Sequence, residues 1–439
     1  MTKQANEFVT ECKSSLARGV AVASDLLVDR AVGCYVYMTD GQAYLDLASG
    51  IGVTSTGHCH PTVVKAVQEQ AAKISHAQVN MFYHQPMLQL VQRLRSKVPP
   101  SLDTFFFWNS GSEAVEAAVK LARQATNKQN IIVFSGGHHG RTIGAMALTS
   151  SKSIFSAGFG PLMSGVHTVD FPYEFRCPAK DHAPCHTGQH CVDETLRQLE
   201  LLLQQRTAPE ETAAILLEPV LGEGGYVPAP PGFFQALRTF CDRHNILMIV
   251  DEVQTGFGRT GKMFAIEHWP GVEPDILVMA KGIASGYPLS AIVSRKALMD
   301  QQPPGSMGGT YAGNAVACAA ALATLDVFEE ERLLENVNQR SEQMFKELRE
   351  KIPPLLPESI QLDIRGLGLM IGLEFRNAPT GFATRITKEA REQHHMIIIT
   401  ASVYETLRMI PPLIISESEV TDAINRLAES IRAAVQAMV

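Results

Sequence analysis

The chain has 439 residues, 45% of them hydrophobic and 19% charged, which is an ordinary globular balance and enough to bury a large core in two or three units. A net charge of −7 without a basic run argues against nucleic acid as the main partner, and no apolar stretch reaches the length of a membrane span. The eight cysteines are scattered, which is no disulfide framework, and the first twelve residues lack an apolar core and carry Glu7 and Glu11, so the cytosol is the expected compartment.

Residues 1 to about 60 read as a helix followed by short strands, Cys34–Met38 and Ala43–Leu47, with a hairpin turn at Asp40-Gly41. From about 61 to 325 strands alternate with helices, the pattern of an α/β sheet with crossover helices. The first strand of this unit, Thr104–Trp108, runs into Asn109-Ser110-Gly111-Ser112-Glu113. Ser110 and Glu113 have capping-box spacing, so the first free amides belong to Gly111 and Ser112. A helix N-terminus of this kind is a ready anion site, although an ordinary capped helix has the same sequence.

The next strand, Asn130–Phe134, leads into Gly136-Gly-His-His-Gly140-Arg141. His138 is placed to lie over a planar ring, and Arg141 offers bidentate recognition of a carboxylate or a plain surface ion pair. A metal on His138 and His139 is disfavoured, because adjacent loop residues rarely ligate one ion and no CxxC or HExxH pattern supports them. A polar, proline-bearing stretch from about 172 to 192 reads as a surface insertion. Its Cys177, His182, Cys185, His186, His190 and Cys191 match no standard metal-ligand spacing.

Three more apolar runs follow: Ala213–Leu217, Ile246–Val250 ending in Asp251, and Asp275–Ala280 ending in Lys281. Continuous apolar strands of this kind belong to parallel sheets covered on both faces, and such sheets collect chemistry at their carboxyl ends. An amine and a carboxylate there suit pyridoxal phosphate, whose aldehyde needs a lysine and whose ring nitrogen needs an anion. A buried Lys–Asp ion pair fits the same two residues equally well.

After Asn314 a long helical region runs to Pro353-Pro354. A strand follows at Gly368–Phe375, and the chain closes with an amphipathic helix bearing Val420, Ile424, Leu427, Ile431 and Val435 on one face. Gly366-Leu-Gly-Leu-Met-Ile-Gly372 looks like a dinucleotide fingerprint but sits in a strand with no helix opening after it. The expected division is 1–60 joining a small domain, 61–325 as the large domain, and 326–439 as the C-terminal small domain.

Several segments together resemble the class III (omega) aminotransferases of fold type I along nearly the whole chain. They are Leu45–Gly52, Thr56–Pro61, Gly111–Ala114, His139–Thr142, Glu218–Gly225, the long run Asp251–Gly261, Ala280–Gly282 and Gly309–Asn314. The resemblance implies a large domain with a mainly parallel seven-stranded sheet and a smaller α+β domain built from both chain ends. It implies pyridoxal 5'-phosphate held by Lys281 as a Schiff base, with Lys281 also moving the proton. Asp251 would meet the ring nitrogen and Gln254 the ring hydroxyl, with Val253 and His138 on the two ring faces. Gly111 and Ser112 would hold the phosphate, with Thr310 reaching it from a neighbouring subunit of a homodimer or dimer of dimers. Position 138 departs from the family, where an aromatic such as tyrosine is usual, and Ala315 stands where proline is common.

The branch of the family most similar to this chain acts on 4-aminobutyrate, with 2-oxoglutarate as acceptor. On that resemblance Arg141 would bind the donor's distal carboxylate and Arg408 the α-carboxylate of 2-oxoglutarate or glutamate. Glu223 would neutralise Arg408 when the substrate has no α-carboxylate, and Ile51 would form an apolar wall. Relatives using acetylornithine, ornithine or simple ω-amines share Arg141 or the cofactor site. An isomerase or decarboxylase with the same cofactor, and a non-catalytic binding protein on the same scaffold, are the other readings. Paired carboxylate sites disfavour the former, and the intact Lys281 and Asp251 disfavour the latter.

Overall fold

A computed structural model describes residues 3–177 and 188–438. Seven strands form its central sheet: β1 (Thr104–Trp108), β2 (Asn130–Phe134), β3 (Val166–Val169), β4 (Thr212–Leu217), β5 (Leu247–Asp251), β6 (Ile276–Met279) and β7 (Ser290–Ser294). Their spatial order is β1-β7-β6-β5-β4-β2-β3. The pairs β6–β5, β5–β4, β4–β2 and β2–β3 are parallel, whereas β7 runs antiparallel to both β6 and β1. This is the expected α/β architecture, with one reversed strand that the sequence pattern did not announce.

Alternate residues of each strand enter different cores, as the two-residue period of a strand demands. Ile131, Val133, Ala214, Leu216, Ile249, Ile276 and Val278 pack with the helix Gly111–Thr126 on one face. Ile132, Phe134, Ile215, Leu217, Met248, Val250, Leu277 and Met279 face the other way, toward Phe233, Phe234 and Leu237 of the helix Phe233–His244. Burial on both faces explains why these strands read as unbroken apolar runs.

A second sheet takes the order Gln361–Leu367, Met370–Arg376, Thr406–Met409, Ile399–Ala401, antiparallel throughout. The strands Val28–Val32, Tyr35–Met38 and Ala43–Asp46 form a third, and Ala43–Asp46 pairs in parallel with Met396–Ile397. The two chain ends therefore meet. Gly366 and Gly368 belong to the Gln361–Arg376 hairpin. A Cβ on Gly368, at φ +57°, would lie 2.4 Å from the Thr260 carbonyl carbon, so close backbone approach accounts for this glycine.

One expectation gains detail and another needs correction. The helical region after Asn314 is two helices, Ala315–Glu330 and Leu333–Lys351, broken at Arg332 with φ +49°. The stretch 172–192 is not simply a surface insertion: Cys177 and Cys191 are buried and joined by a disulfide, and the helix Gln189–Gln205 starts inside it. Scattered spacing concealed the pairing, because the 14-residue separation says nothing of which ends the fold brings together. His182, Cys185 and His186 lie outside the described residues. Among the described residues no group of three His, Cys, Asp or Glu side chains is arranged to hold a metal, and no helix is long and apolar enough to cross a membrane.

Asp275 fixes the entry to β6 and hence the approach to Lys281. Its carboxylate accepts from Arg238 Nη1 (2.8 Å), Arg295 Nη2 (2.7 Å) and the Met248 amide (2.8 Å). Asp275→Ala leaves a buried amide and two guanidinium groups short of an acceptor, so stability should fall by roughly 2–4 kcal/mol. A lower urea midpoint for the variant is the expected result, and an unchanged midpoint would contradict it.

Candidate active site

The carboxyl ends of β1, β2, β4, β5 and β6 converge on one cavity of about 490 Å³. Its wall includes Gly111 and Ser112 after β1, His138, His139 and Arg141 after β2, Glu218 and Glu223 after β4, and Asp251, Val253 and Gln254 at β5. Lys281 comes from the end of β6, Ile51 from the N-terminal region and Arg408 from the second sheet. Eleven of the twelve residues singled out in the sequence thus line a single space. The twelfth, Thr310, does not line it and is exposed.

The pairing of β5 with β6 sets the central geometry. Asp251 lies opposite Val278, so Lys281 emerges three residues further along the neighbouring strand. Lys281 adopts φ +46°, a left-handed conformation uncommon for a residue with a side chain. Burial and the nearby Arg408 charge lower its pKa to about 8, against the opposing pull of Glu218, Asp251 and Glu223.

Asp251 is 3% exposed and its two oxygens are both engaged. Oδ1 accepts the Val253 amide at 3.0 Å, and Oδ2 accepts from His139 Nδ1 at 2.8 Å. Burial opposes a charge on His139, but the hydrogen bond and charge of Asp251, with Glu218, outweigh it and raise the imidazole pKa. Glu218 in turn accepts the amides of His138 and Gly222, each at 2.8 Å, and burial with the neighbouring Asp251 pushes its pKa up to about 7. His139 and Glu218 carried no role in the sequence reading. Glu218 had the signal that exposed Asp251, a charged residue at the end of an apolar strand, whereas His139 lies five residues past its strand in the glycine-rich loop.

The helix Gly111–Thr126 begins with the predicted capping box. Ser110 Oγ accepts the Glu113 amide, and Glu113 accepts the Ser110 amide at 2.8 Å. The Gly111 and Ser112 amides at the start are the ones that helix geometry leaves open. A Cβ on Gly111 would lie 2.9 Å from Val253 Cγ1, and one on Gly140 would lie 2.3 Å from Ser112 Oγ. Both glycines therefore keep space around this helix end. Gln254 Oε1 is buried with no hydrogen-bond partner, an acceptor waiting for a donor.

The rest of the cavity wall is charged. Arg408 Nη1 donates to Glu223 Oε2 at 2.7 Å, and Arg408 Nε is buried without a partner. Glu223 Oε1 accepts from Lys152 Nζ at 2.6 Å, a contact the sequence reading missed. Burial disfavours the Glu223 carboxylate, but Arg408 and Lys152 overcome that and lower its pKa. The Arg141 guanidinium sits 4.3 Å from the centre of the Phe155 ring, whose edge also meets His138. Burial takes the His138 pKa down to about 4, so its ring is neutral at pH 7.

Ile51 is 45% exposed at φ +67°, flanked by Gly50 at +63° and Gly52 at +75°. A β-branched residue in this region is strained and has to be held in place. Ser49 Oγ donates to the Ile410 carbonyl at 2.6 Å and the Ile410 amide donates to Leu47 at 2.8 Å.

An anion-ready helix end, an orphaned acceptor, a buried carboxylate and a lysine of lowered pKa fit pyridoxal phosphate, and the sheet carrying them is that of a fold type I enzyme. The chain belongs to the class-III aminotransferases, a family that matches residues 16–431, and its cofactor is pyridoxal phosphate. It is 38% identical over 440 residues to 4-aminobutyrate aminotransferase GabT of Escherichia coli, covering 98% of this chain and 99% of that one. It is 39% identical over 422 residues to 5-aminovalerate aminotransferase DavT of Pseudomonas putida, covering 94% and 95%. Among solved structures it is similar to an amine transaminase of an uncultivated Pseudomonas species in its PLP-bound form, with a TM-score of 0.84, 30% identity and coverage of 96% and 98%.

The lysine carries a direct test. With a pKa near 8, the neutral amine of Lys281 becomes the major form as pH rises through about 8 rather than through the usual 10.5. Acylation of Lys281 in the cofactor-free protein, followed by mass spectrometry, should rise with a midpoint near pH 8. A midpoint at the ordinary lysine value would refute the depressed pKa.

Proposed function

We propose that this aminotransferase takes its amino group from an ω-amino acid with a distal carboxylate, 4-aminobutyrate first, and passes it to 2-oxoglutarate. The observation that carries this reading is the Glu223–Arg408 pair, 2.7 Å apart in the cavity that also holds Arg141 and Lys281. A guanidinium in a dry pocket needs a carboxylate, and an internal one serves only while the substrate supplies none. Arg141 binds the distal carboxylate of the donor. Arg408 binds the α-carboxylate of the acceptor once Glu223 releases it.

Pyridoxal phosphate supplies an aldehyde that takes up the amino group and a ring that accepts the electron pair left on the substrate carbon. Lys281, as a neutral amine, would take the proton from that carbon and deliver it to the carbon that had been the aldehyde, so that the amino group stays with the cofactor. Asp251, backed by His139, keeps a positive charge on the ring nitrogen. Gln254 accepts the ring hydroxyl, and Val253 and His138 close the two ring faces. Gly111 and Ser112 bind the phosphate through their amides. We read Thr310 as reaching that phosphate in a second copy of the chain, so that the working unit is at least a homodimer.

A second donor, 5-aminovalerate, is favoured by the DavT relative, which is as similar to this chain as GabT. One methylene separates the two donors, worth roughly 1–3 kcal/mol in a fitted pocket. Adding 4-aminobutyrate, 5-aminovalerate, acetylornithine, ornithine, β-alanine and a simple amine in turn to the yellow protein distinguishes them by the rate of bleaching. The ω-amino acids with a distal carboxylate should bleach it fastest. Faster bleaching by the simple amine would overturn the carboxylate reading.

Two variants sharpen the test. Lys281→Ala should abolish turnover. Arg141→Ala should weaken 4-aminobutyrate by on the order of tenfold to a hundredfold, the value of a charge-assisted hydrogen bond, with a much smaller effect on a simple amine. Equal losses for both substrates would remove Arg141 from carboxylate recognition.

A further inference from the structure

Glu223 holds two cations, one on each oxygen. Arg408 Nη1 lies 2.7 Å from Oε2 and Lys152 Nζ lies 2.6 Å from Oε1. The two arrive from opposite sides. Arg408 is on a strand of the second sheet and lines the active-site cavity. Lys152 precedes the short turn Ser153–Phe155 and faces a separate cavity of about 910 Å³ whose wall also includes Ser151, Arg176 and Tyr404. The Lys152–Glu223 contact is thus part of the partition between the two spaces.

Arg408 has to surrender Glu223 whenever an α-carboxylate arrives, on the reading above. The side chain of Glu223 is only 13% exposed, so a carboxylate released there without a partner would carry a desolvation cost of several kcal/mol. Its backbone does not travel with it, because its carbonyl accepts the Ser402 amide at 2.7 Å. What remains is a rotation of the side chain about an oxygen already held by Lys152. The Lys152 side chain is 25% exposed against 13% for Glu223, so the contact lies at the solvent margin of a buried carboxylate.

We propose that Lys152 is a positioning residue for the Glu223 switch: it retains Glu223 after Arg408 is released and so favours the half-reaction with the α-carboxylate substrate. Lys152 touches Glu223 in the closed form as well, so its effect on the switch is the part of this contact that strengthens once Arg408 leaves. Without it, Glu223 clings to Arg408 and 2-oxoglutarate has to compete harder. The ω-amino donor needs the closed form and is little affected. This inference rests on the switch reading of Glu223 and Arg408.

The test uses holoenzyme and measures the two half-reactions separately by the loss and return of the yellow colour. Lys152→Met should raise the half-saturating 2-oxoglutarate concentration about tenfold, the scale of one charge-assisted hydrogen bond, and leave that of 4-aminobutyrate within about twofold. Lys152→Arg should restore the 2-oxoglutarate value. In a Glu223→Gln background, Lys152→Met should add nothing, because the two act through one contact. Equal changes in both half-reactions, or none for 2-oxoglutarate, would overturn the role of Lys152. If Glu223→Gln itself leaves the preference between 4-aminobutyrate and glutamate unaltered, the switch falls and the role of Lys152 falls with it. If that preference shifts while Lys152→Met changes nothing, only Lys152 is wrong. Should Lys152→Met fold poorly, Lys152→Gln takes its place under the same criteria.

Discussion

The parallel pairing of β5 with β6 is the constraint on which the site depends. It brings Asp251 and the approach to Lys281 to the same end of a sheet buried on both faces, where Asp251 is almost fully removed from water and Lys281 is partly so. A lysine amine in water stays protonated and is no base. The same amine beside Arg408 and away from water loses its proton near pH 8. The chemistry assigned to Lys281 is therefore a consequence of strand register and burial as much as of residue type.

The remaining charges are arranged as pairs that answer one another. His139 supports Asp251 from behind, and Glu218 is held by two backbone amides beside them. Across the cavity Arg408 and Lys152 share Glu223, one on each oxygen. The inner cluster is 3–5% exposed, whereas Lys152 and Glu223 retain access to solvent. The most deeply buried charges thus lie where the ring would sit, and the Glu223 group lies nearer solvent.

Much of this was legible in the sequence, for identifiable reasons. The strands leading to Asp251 and Lys281 are continuous apolar runs, and the capping box at Ser110 and Glu113 is a local signal four residues long. Strand β7 was not legible: Ser290–Ser294 is short, ends in serines, and follows a connection too brief for a parallel crossover. Lys152 was missed because its partner is 71 residues away, and nothing about a lysine among serines marks it. Phe155 reads as one aromatic in a loop until the fold puts Arg141 above its face. The Cys177–Cys191 bridge was hidden in the same way. Patterns with a short period survive in a sequence, whereas pairings that only the assembled sheet creates do not.

The strained turn at Gly50 and Ile51 has a consequence for any attempt to reshape the pocket. Leu47 and Ser49 both bond to Ile410, two residues beyond Arg408, so the Ile51 turn and the strand that carries Arg408 are tied together. A Cβ on Gly52 would already press on Ile410 at 2.6 Å. Reshaping the Ile51 turn would therefore disturb the strand that carries Arg408. On the roles proposed for Ile51 and Arg408, a chain that drifts toward a new amine would have to retune its keto acid in the same step.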